Sequence, residues 1–150
     1  HYYYLARVPN DQLTNDFQWT YWTGSEWSGD QTLAQPIING SEGVAAGVSI
    51  YQKADGTNVF LSKKYDALGT DIYAWTTPYL TGWTQQATPV LAPVPNVDAN
   101  AGETTYLAEA HKWAALASDK LLISWSLNSN AANFFGSPRY GIYFTEVTQP

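Results

Sequence analysis

The residue with the clearest chemical potential in this 150-residue chain is Glu42, which lies just ahead of a predicted strand. Cleavage of a glycosidic bond needs one carboxyl that stays protonated near neutral pH and a second that is ionised across the bond. Glu42 is the best local candidate for a catalytic carboxyl of this kind. The alternative is that Ser41, Glu42 and Gly43 form a solvated turn without a chemical role.

Three further residues are candidates for contacts with a substrate. Glu109 and His111, the only internal histidine, alternate along one predicted strand, so both side chains can face the same side. Arg7 carries a planar guanidinium that can donate to a sugar hydroxyl or a carboxylate. Each has a structural alternative: a hydrogen-bonded pair for Glu109 and His111, and an ordinary salt bridge for Arg7.

Aromatic residues make up 15% of the chain and include seven tryptophans, which can stack on the apolar faces of sugar rings. We expect Trp75 to contact the substrate, while packing between sheets uses most of the others. An N-glycosylation sequon begins at Asn39. A copper site at His1 would need a second histidine and a tyrosine, and because no other feature supports one, no metal site is predicted.

The bulk composition limits the classes of partner. With 45% hydrophobic and 13% charged residues, the chain is long enough for one domain with a core. A net charge of −6 leaves no basic patch for nucleic acid or an anionic membrane. Cysteine is absent, so no disulfide or thiolate metal site can form. The sequon and the acidic, aromatic-rich composition lead us to expect a secreted protein.

Turn-forming residues divide the chain into about nine short strands, which predicts an all-β, antiparallel fold. Four consecutive strands, a long loop and then three more strands are typical of a β-propeller. We expect about two and a half blades in a single unit. Residues 1–30 would supply the outer strands of one blade, residues 44–91 a four-stranded blade, and residues 104–148 the final blade. A self-standing β-sandwich that binds glycans is the alternative.

Local patterns add finer expectations about individual elements. Residues 2–8, 17–22 and 85–91 are predicted as strands, residues 54–56 as a hairpin turn, and residues 30–41 as a loop. The spacing of small and apolar residues also allows a helix over residues 106–117 as an alternative to a strand.

Several segments resemble the five-bladed propeller glycosidases of the arabinanase and fructosidase type, and more closely a group of related uncharacterised secreted propellers. These segments are YYLARV at 3–8, FQWTYWTG at 17–24, DIYAWTTPYLTGWT at 71–84, YLAEAH at 106–111 and LLISWSLN at 121–128. The chain departs from the pattern where the usual proline is missing before Trp83 and where Lys112 replaces another proline.

The resemblance implies a carbohydrate-active protein. Such glycosidases carry two essential carboxylates in their first blades and a proton-donating glutamate ahead of a hairpin, a position that Glu42 matches. They often place a histidine on the propeller axis, as His111 would be, where it can contact water or a structural cation; no other cofactor is implied. The first blades are expected on a second polypeptide that completes the propeller. A non-catalytic propeller, acting as a lectin or a surface assembly protein, is the alternative.

Overall fold

The computed structural model describes residues 1–65, 69–95, 103–129 and 140–150, and in these ranges the chain is built from strands. The strands are β1 (Tyr3–Tyr4), β2 (Ala6–Arg7), β3 (Thr20–Trp22), β4 (Trp27–Ser28), β5 (Pro36–Ile38), β6 (Val44–Gln52), β7 (Asn58–Lys64), β8 (Ile72–Thr77), β9 (Thr84–Gln85), β10 (Glu103–His111), β11 (Lys120–Ser129) and β12 (Gly141–Thr148). All the strand pairings are antiparallel. The predicted all-β, antiparallel class is confirmed.

Four short 3-10 helices complete the described secondary structure. They span Asn10–Gln12, Asp16–Gln18, Gln31–Leu33 and Gly40–Glu42. None of the helices in the described ranges is long and apolar enough to cross a membrane.

The middle sheet has the strand order β6-β7-β8-β9, so consecutive strands are neighbours. Its first hairpin turns at Asp55, whose carboxylate accepts a hydrogen bond from the backbone N–H of Thr57 at 2.9 Å. Gly56 follows with a φ of +88°, which favours glycine. The hairpin turn predicted at residues 54–56 is therefore confirmed.

Strand β7 is buried on both of its faces. Val59 and Leu61 belong to one core cluster, whereas Phe60, between them, belongs to another. Because successive side chains of a strand point to opposite faces, a strand covered on both sides reads as a continuous apolar run. This burial places β7 in the interior, with packed layers on either side.

The final sheet has the order β10-β11-β12 and packs one face on the middle sheet. Ile123 and Trp125 of β11 lie in the shared core with Leu61 and Ala74. In β10 the pairing shifts register between Tyr106 and Glu109, which marks a bulge. Two consecutive antiparallel meanders stacked face to face are the arrangement of successive propeller blades.

The other face of the middle sheet is covered by the N-terminal part of the chain. Tyr3 packs edge-to-face on Phe60, with ring centroids 5.0 Å apart. Its hydroxyl oxygen lies 2.6 and 2.7 Å from the carbonyl oxygens of Ala45 and Ala46, either of which can accept its one hydrogen. Ile38 of β5, which pairs with β1, joins the same core cluster. These contacts fix the start of β6, which follows Glu42 by two residues.

Several local predictions need correction. Residues 2–8 form two short strands: β1 pairs with β5, whereas β2 joins the sheet β2-β3-β4. Residues 16–18 are a 3-10 helix because the Asn15 side chain accepts the Phe17 N–H, and the strand begins only at Thr20. The predicted loop at 30–41 contains β5.

Two other predictions concern the later strands. The predicted strand over residues 85–91 is reduced to the end of β9 and a single bridge between Ile72 and Leu91. The alternative helix over residues 106–117 is wrong, because residues up to His111 pair with β11 instead. The long loop predicted before the last three strands lies largely outside the described residues.

Candidate functional site

Glu42 ends the short helix Gly40–Glu42 immediately before β6, and its side chain is half-buried. Its Oε1 accepts a hydrogen bond from the backbone N–H of Asn39 at 3.2 Å, in the manner of a capping box. Gly43 then adopts a φ of +75°, which lets the chain leave the helix and enter β6. The local sequence therefore fixes the backbone that carries the carboxylate.

Trp75 holds the other oxygen of this carboxylate. Its indole Nε1–H donates to Glu42 Oε2 at 2.5 Å. The ring itself is fully buried, with Phe60 edge-to-face at 5.7 Å and Tyr73 at 6.5 Å between centroids. The expectation that Trp75 stacks on a substrate is therefore wrong, because no face of the ring is accessible. Trp75 instead positions Glu42.

A small pocket of about 230 Å³ lies at the same end of the middle sheet. Its lining residues are Lys64, Tyr65, Gly69, Thr70, Asp71 and Tyr73. Lys64 pairs with Val44, only two residues after Glu42, and the Tyr65 backbone N–H donates to the carbonyl oxygen of Gly43. These contacts place the pocket beside the backbone that follows Glu42, although Glu42 itself is not one of its lining residues.

The charged and aromatic groups of this pocket are held in place. The ammonium of Lys64 lies over the ring of Tyr73 at 4.7 Å and near that of Tyr65 at 5.6 Å, both within the range of cation–π attraction. Asp71 accepts a hydrogen bond from the Thr70 hydroxyl at 3.0 Å. Tyr65 leaves 62% of its surface exposed.

These side chains form what we call the Glu42 cluster. Its members are Glu42, Lys64, Tyr65, Asp71, Tyr73 and Trp75. It combines two carboxylates, one ammonium and an exposed aromatic ring. The carboxylates can accept hydrogen bonds from hydroxyl groups, the ammonium can donate to them, and the aromatic ring can stack on an apolar ring face. Such a set suits a polyhydroxylated ligand.

Arg7 lies elsewhere, in the sheet β2-β3-β4. Its guanidinium carbon is 4.1 Å from the centre of the Trp27 ring, and its Nε donates to Thr20 Oγ1 at 3.3 Å. It lines a groove of about 370 Å³ with Val8, Pro9 and Gln18. Arg7 is therefore exposed to solvent, but it does not line the pocket of the Glu42 cluster.

Glu109 and His111 lie on the outer face of the final sheet, the face turned away from the middle sheet. His111 Nε2 and Ser124 Oγ share a hydrogen bond of 2.7 Å. The imidazole also packs against Trp113 and Phe144, with centroids at 5.5 and 5.6 Å. Glu109 pairs with the same Ser124 and is exposed. His111 thus makes structural contacts, but its hydrogen-bond partner is Ser124, whereas the alternative paired it with Glu109.

Glu42 and His111 are at opposite ends of the stacked sheets. Gly47 lies against Leu107, so β6 and β10 are neighbours. Lys53, just beyond the end of β6, donates to the carbonyl oxygen of Pro150, just beyond the end of β12. Both β10 and β12 pair antiparallel with β11, so they end at the same edge of the final sheet. Because β6 ends at that edge too, β6 and β10 run in the same direction. Nine residues of strand span about 30 Å, so one ligand cannot contact Glu42 and His111 together.

The structure therefore divides the predicted site residues among three places. Glu42 and Trp75 lie together, Arg7 is in the N-terminal sheet, and Glu109 with His111 is on the final sheet. Sequence reasoning missed Asp71 and Tyr73, although a signal was present. Asp71 immediately precedes β8, and positions 71, 73 and 75 alternate in sequence, so Asp71 and Tyr73 are expected on the same face as Trp75. Lys64 and Tyr65 gave no comparable signal.

The described residues bring together no group of three or more His, Cys, Asp or Glu side chains that could hold a metal ion. The structural cation suggested by the resemblance stays a prediction. Asn39, the predicted glycosylation site, has an exposed side chain next to the Glu42 cluster.

Comparison with known proteins gives a family. A family model described as "Domain of unknown function (DUF5005)" matches residues 1–148. The chain belongs to the DUF5005 family. No curated protein matches this DUF5005 chain.

Among solved structures, the DUF5005 chain aligns with a crystal structure of an exo-β-1,3-galactanase from Phanerochaete chrysosporium with β-1,3-galactotriose. The TM-score is 0.47 and the identity 16%, over 68% of this chain and 23% of the galactanase chain. The DUF5005 chain thus spans about a quarter of that enzyme's length. A similarity at this level identifies neither an activity nor a substrate.

Proposed function

We propose that this chain is part of a secreted, carbohydrate-active propeller of the glycoside-hydrolase type, and that the Glu42 cluster is its saccharide site. The observation that carries the proposal is the hydrogen bond from the buried Trp75 indole to Glu42. It fixes the carboxylate just before β6, beside the strand ends that line the pocket, instead of leaving it on a solvated turn. The solvated-turn alternative for Glu42 does not account for this contact.

The neighbouring groups fit a sugar. The exposed ring of Tyr65 offers an apolar face, while Lys64 and Asp71 supply a donor and an acceptor for hydroxyl groups. Saccharide sites combine these two kinds of contact, because a sugar ring carries apolar C–H patches and a rim of hydroxyls. In this proposal Glu42 contributes one of the two carboxyls that glycosidic cleavage requires.

A second polypeptide is part of the same proposal. The middle sheet is covered on both faces, whereas the outer face of the final sheet exposes Ile142 by 63%, Phe144 by 57% and Trp113 by 78%. An apolar face of this kind on a sheet that stacks like a blade fits a further blade. We propose that this blade, and the missing carboxylate, come from the companion chain.

The subunit composition of the natively purified protein tests whether a companion chain is present. We expect the 16.6 kDa chain to co-purify with a second polypeptide in a fixed ratio, and Phe144→Glu to weaken that association. A native species of this chain alone, monomeric and unfolding in one cooperative transition, would remove the companion from the proposal.

A lectin-like role is the second candidate, and one observation favours it. Both oxygens of Glu42 already accept hydrogen bonds, one from Asn39 and one from Trp75. A carboxylate held in this way can bind a hydroxyl without acting in proton transfer. In that case the cluster binds the saccharide and does not cleave it.

A screen of aryl glycosides on the native material separates the two candidates. Catalysis predicts that Glu42→Gln lowers kcat by at least about a hundredfold. The matched control is Glu26→Gln, at an exposed glutamate in the turn between β3 and β4, and it should leave kcat unchanged. Saccharide binding without turnover supports the lectin. Turnover that survives in Glu42→Gln would remove Glu42 from catalysis.

Secretion and glycosylation are also proposed. The exposed side chain of Asn39, followed by Gly40 and Ser41, supports them. Expressed through a eukaryotic secretory pathway, the chain is expected to lose mass on treatment with an N-glycosidase, and Asn39→Gln is expected not to. An unchanged mass in the wild-type chain would contradict glycosylation at Asn39.

A further inference from the structure

A second concave surface lies in the first 32 residues, separate from the Glu42 cluster. It is a groove of about 790 Å³ between the turns that flank the sheet β2-β3-β4. Its lining residues are Ala6, Leu13, Asp16, Phe17, Trp19, Tyr21, Gly29, Asp30, Gln31 and Thr32. We refer to it as the N-terminal groove. Its volume is in the range of ligand sites in proteins.

Three aromatic residues follow one another at every second position in this groove. Phe17 is 96% exposed, whereas Trp19 and Tyr21 are half-buried. Leu13, at the same surface, is 62% exposed. Single exposed apolar residues are common on proteins, but a group of them in one concavity indicates a contact surface.

The groove is also held in shape by local hydrogen bonds. The Trp19 indole Nε1–H donates to the carbonyl oxygen of Leu13 at 3.3 Å, which fixes the ring against the preceding turn. On the opposite side, Asp30 Oδ1 accepts from the backbone N–H and the hydroxyl of Thr32 at 2.9 and 2.7 Å. These bonds lower the pKa of Asp30, so the carboxylate stays ionised at neutral pH. Its other oxygen can accept a bond from a ligand.

The charged residues that line the N-terminal groove favour some classes of ligand over others. Asp16 and Asp30 are the only charged residues in it, and no lysine, arginine or histidine lines the described groove. Two carboxylates repel an acidic sugar or a phosphate. They accept hydrogen bonds from neutral hydroxyls, and Gln31 and Thr32 provide both donors and acceptors.

We infer that the N-terminal groove is a second saccharide site that binds a neutral oligosaccharide, with Phe17 and Trp19 as its stacking platform. The inference does not rest on the Glu42 cluster. The groove contains no residue of that cluster and would hold a polysaccharide chain whether or not Glu42 acts on it.

Isothermal titration of the native material with neutral tetrasaccharides tests the site. The probes are cellotetraose, xylotetraose and laminaritetraose, with tetragalacturonate as the acidic comparison. We expect at least one neutral probe to bind and tetragalacturonate to bind at least about tenfold more weakly. If no neutral probe binds, or if the acidic one binds as tightly, the inference is overturned.

Variants locate the binding. Phe17→Ala is expected to weaken the affinity by about tenfold, while Phe17→Tyr, which keeps the ring, restores it. Tyr79→Ala removes an aromatic residue that is 74% exposed outside the groove and serves as the matched control. An affinity that Phe17→Ala leaves unchanged, or that falls equally in Tyr79→Ala, would overturn the assignment.

Discussion

The middle and final sheets have the same antiparallel meander, yet one is covered on both faces and the other on a single face. In the middle sheet, Phe60 and Trp75 are fully buried. In the final sheet, the aromatic residue Phe144 remains more than half exposed. The difference separates two uses of aromatic residues in one fold. Phe60 and Trp75 of the middle sheet lie in the layer that fixes the Glu42 carboxylate, whereas the aromatic residues on the outer face of the final sheet form a surface.

The largest expected effect is on the free energy of unfolding, when one phenylalanine in each sheet is replaced by alanine. Phe60→Ala removes a ring that contacts Tyr3, Trp75 and Trp83, and should lower the free energy of unfolding by about 3–5 kcal/mol. The matched Phe144→Ala should cost less than about 1 kcal/mol in the isolated chain. Urea denaturation measures both. Equal losses would show that the two sheets are equally covered.

A smaller effect is expected from removing the donor that holds Glu42. Trp75→Phe keeps an aromatic ring but loses the indole N–H, and should lower the free energy of unfolding by about 2 kcal/mol, since the lost bond is made to a carboxylate. Trp113→Phe on the exposed face of the final sheet is the control, with little change expected. If thermal or urea unfolding gave the same free energy of unfolding for both variants, the Trp75–Glu42 contact would not contribute to stability.

The layer between the sheets gives a prediction on pH. Tyr51 is buried there, its hydroxyl has no hydrogen-bond partner among the described residues, and burial raises its pKa to about 12. The unfolded chain releases this proton near pH 10, before the folded chain does. Stability is therefore retained below pH 10 and lost between about pH 10 and 12, by up to about 1.4 kcal/mol per pH unit.

Alkaline unfolding curves check this prediction. The Tyr51→Phe variant should lose less stability over this range than the wild type, whereas Tyr79→Phe, at an exposed tyrosine, should behave as the wild type does. A wild-type curve that coincides with that of Tyr51→Phe would contradict the burial of the hydroxyl.

Sequence reasoning found the features that depend on local residue types and spacing. The hairpin at Asp55 and Gly56 follows from turn chemistry, and the antiparallel class follows from the spacing of the turns. It failed where the signal is not local. Residues 2–8 read as one aromatic strand, yet Tyr3 and Arg7 lie in different sheets because their partners, β5 and β3, are distant in sequence.

The candidate site shows the same limit. Glu42 was identified as a candidate because its position ahead of a strand matches the acid of the glycosidases that the chain resembles. Its partner Trp75 lies 33 residues away and was expected to face a ligand. Alternation shows which residues share a face of a strand, but not whether that face is buried. The separation of His111 from Glu42 likewise depends on the stacking of two sheets, which no local pattern encodes.

The central claim, that a saccharide binds at the Glu42 cluster, is tested most directly by the indole N–H signals of the seven tryptophans. The Trp75 signal, assigned by its loss in Trp75→Phe, reports on the hydrogen bond to Glu42, and the Trp19 signal reports on the N-terminal groove. In an NMR titration of the native material with a neutral oligosaccharide that it binds, we predict a saturable shift of the Trp75 signal. Saturable binding that moves other signals and leaves that of Trp75 unchanged would contradict the claim.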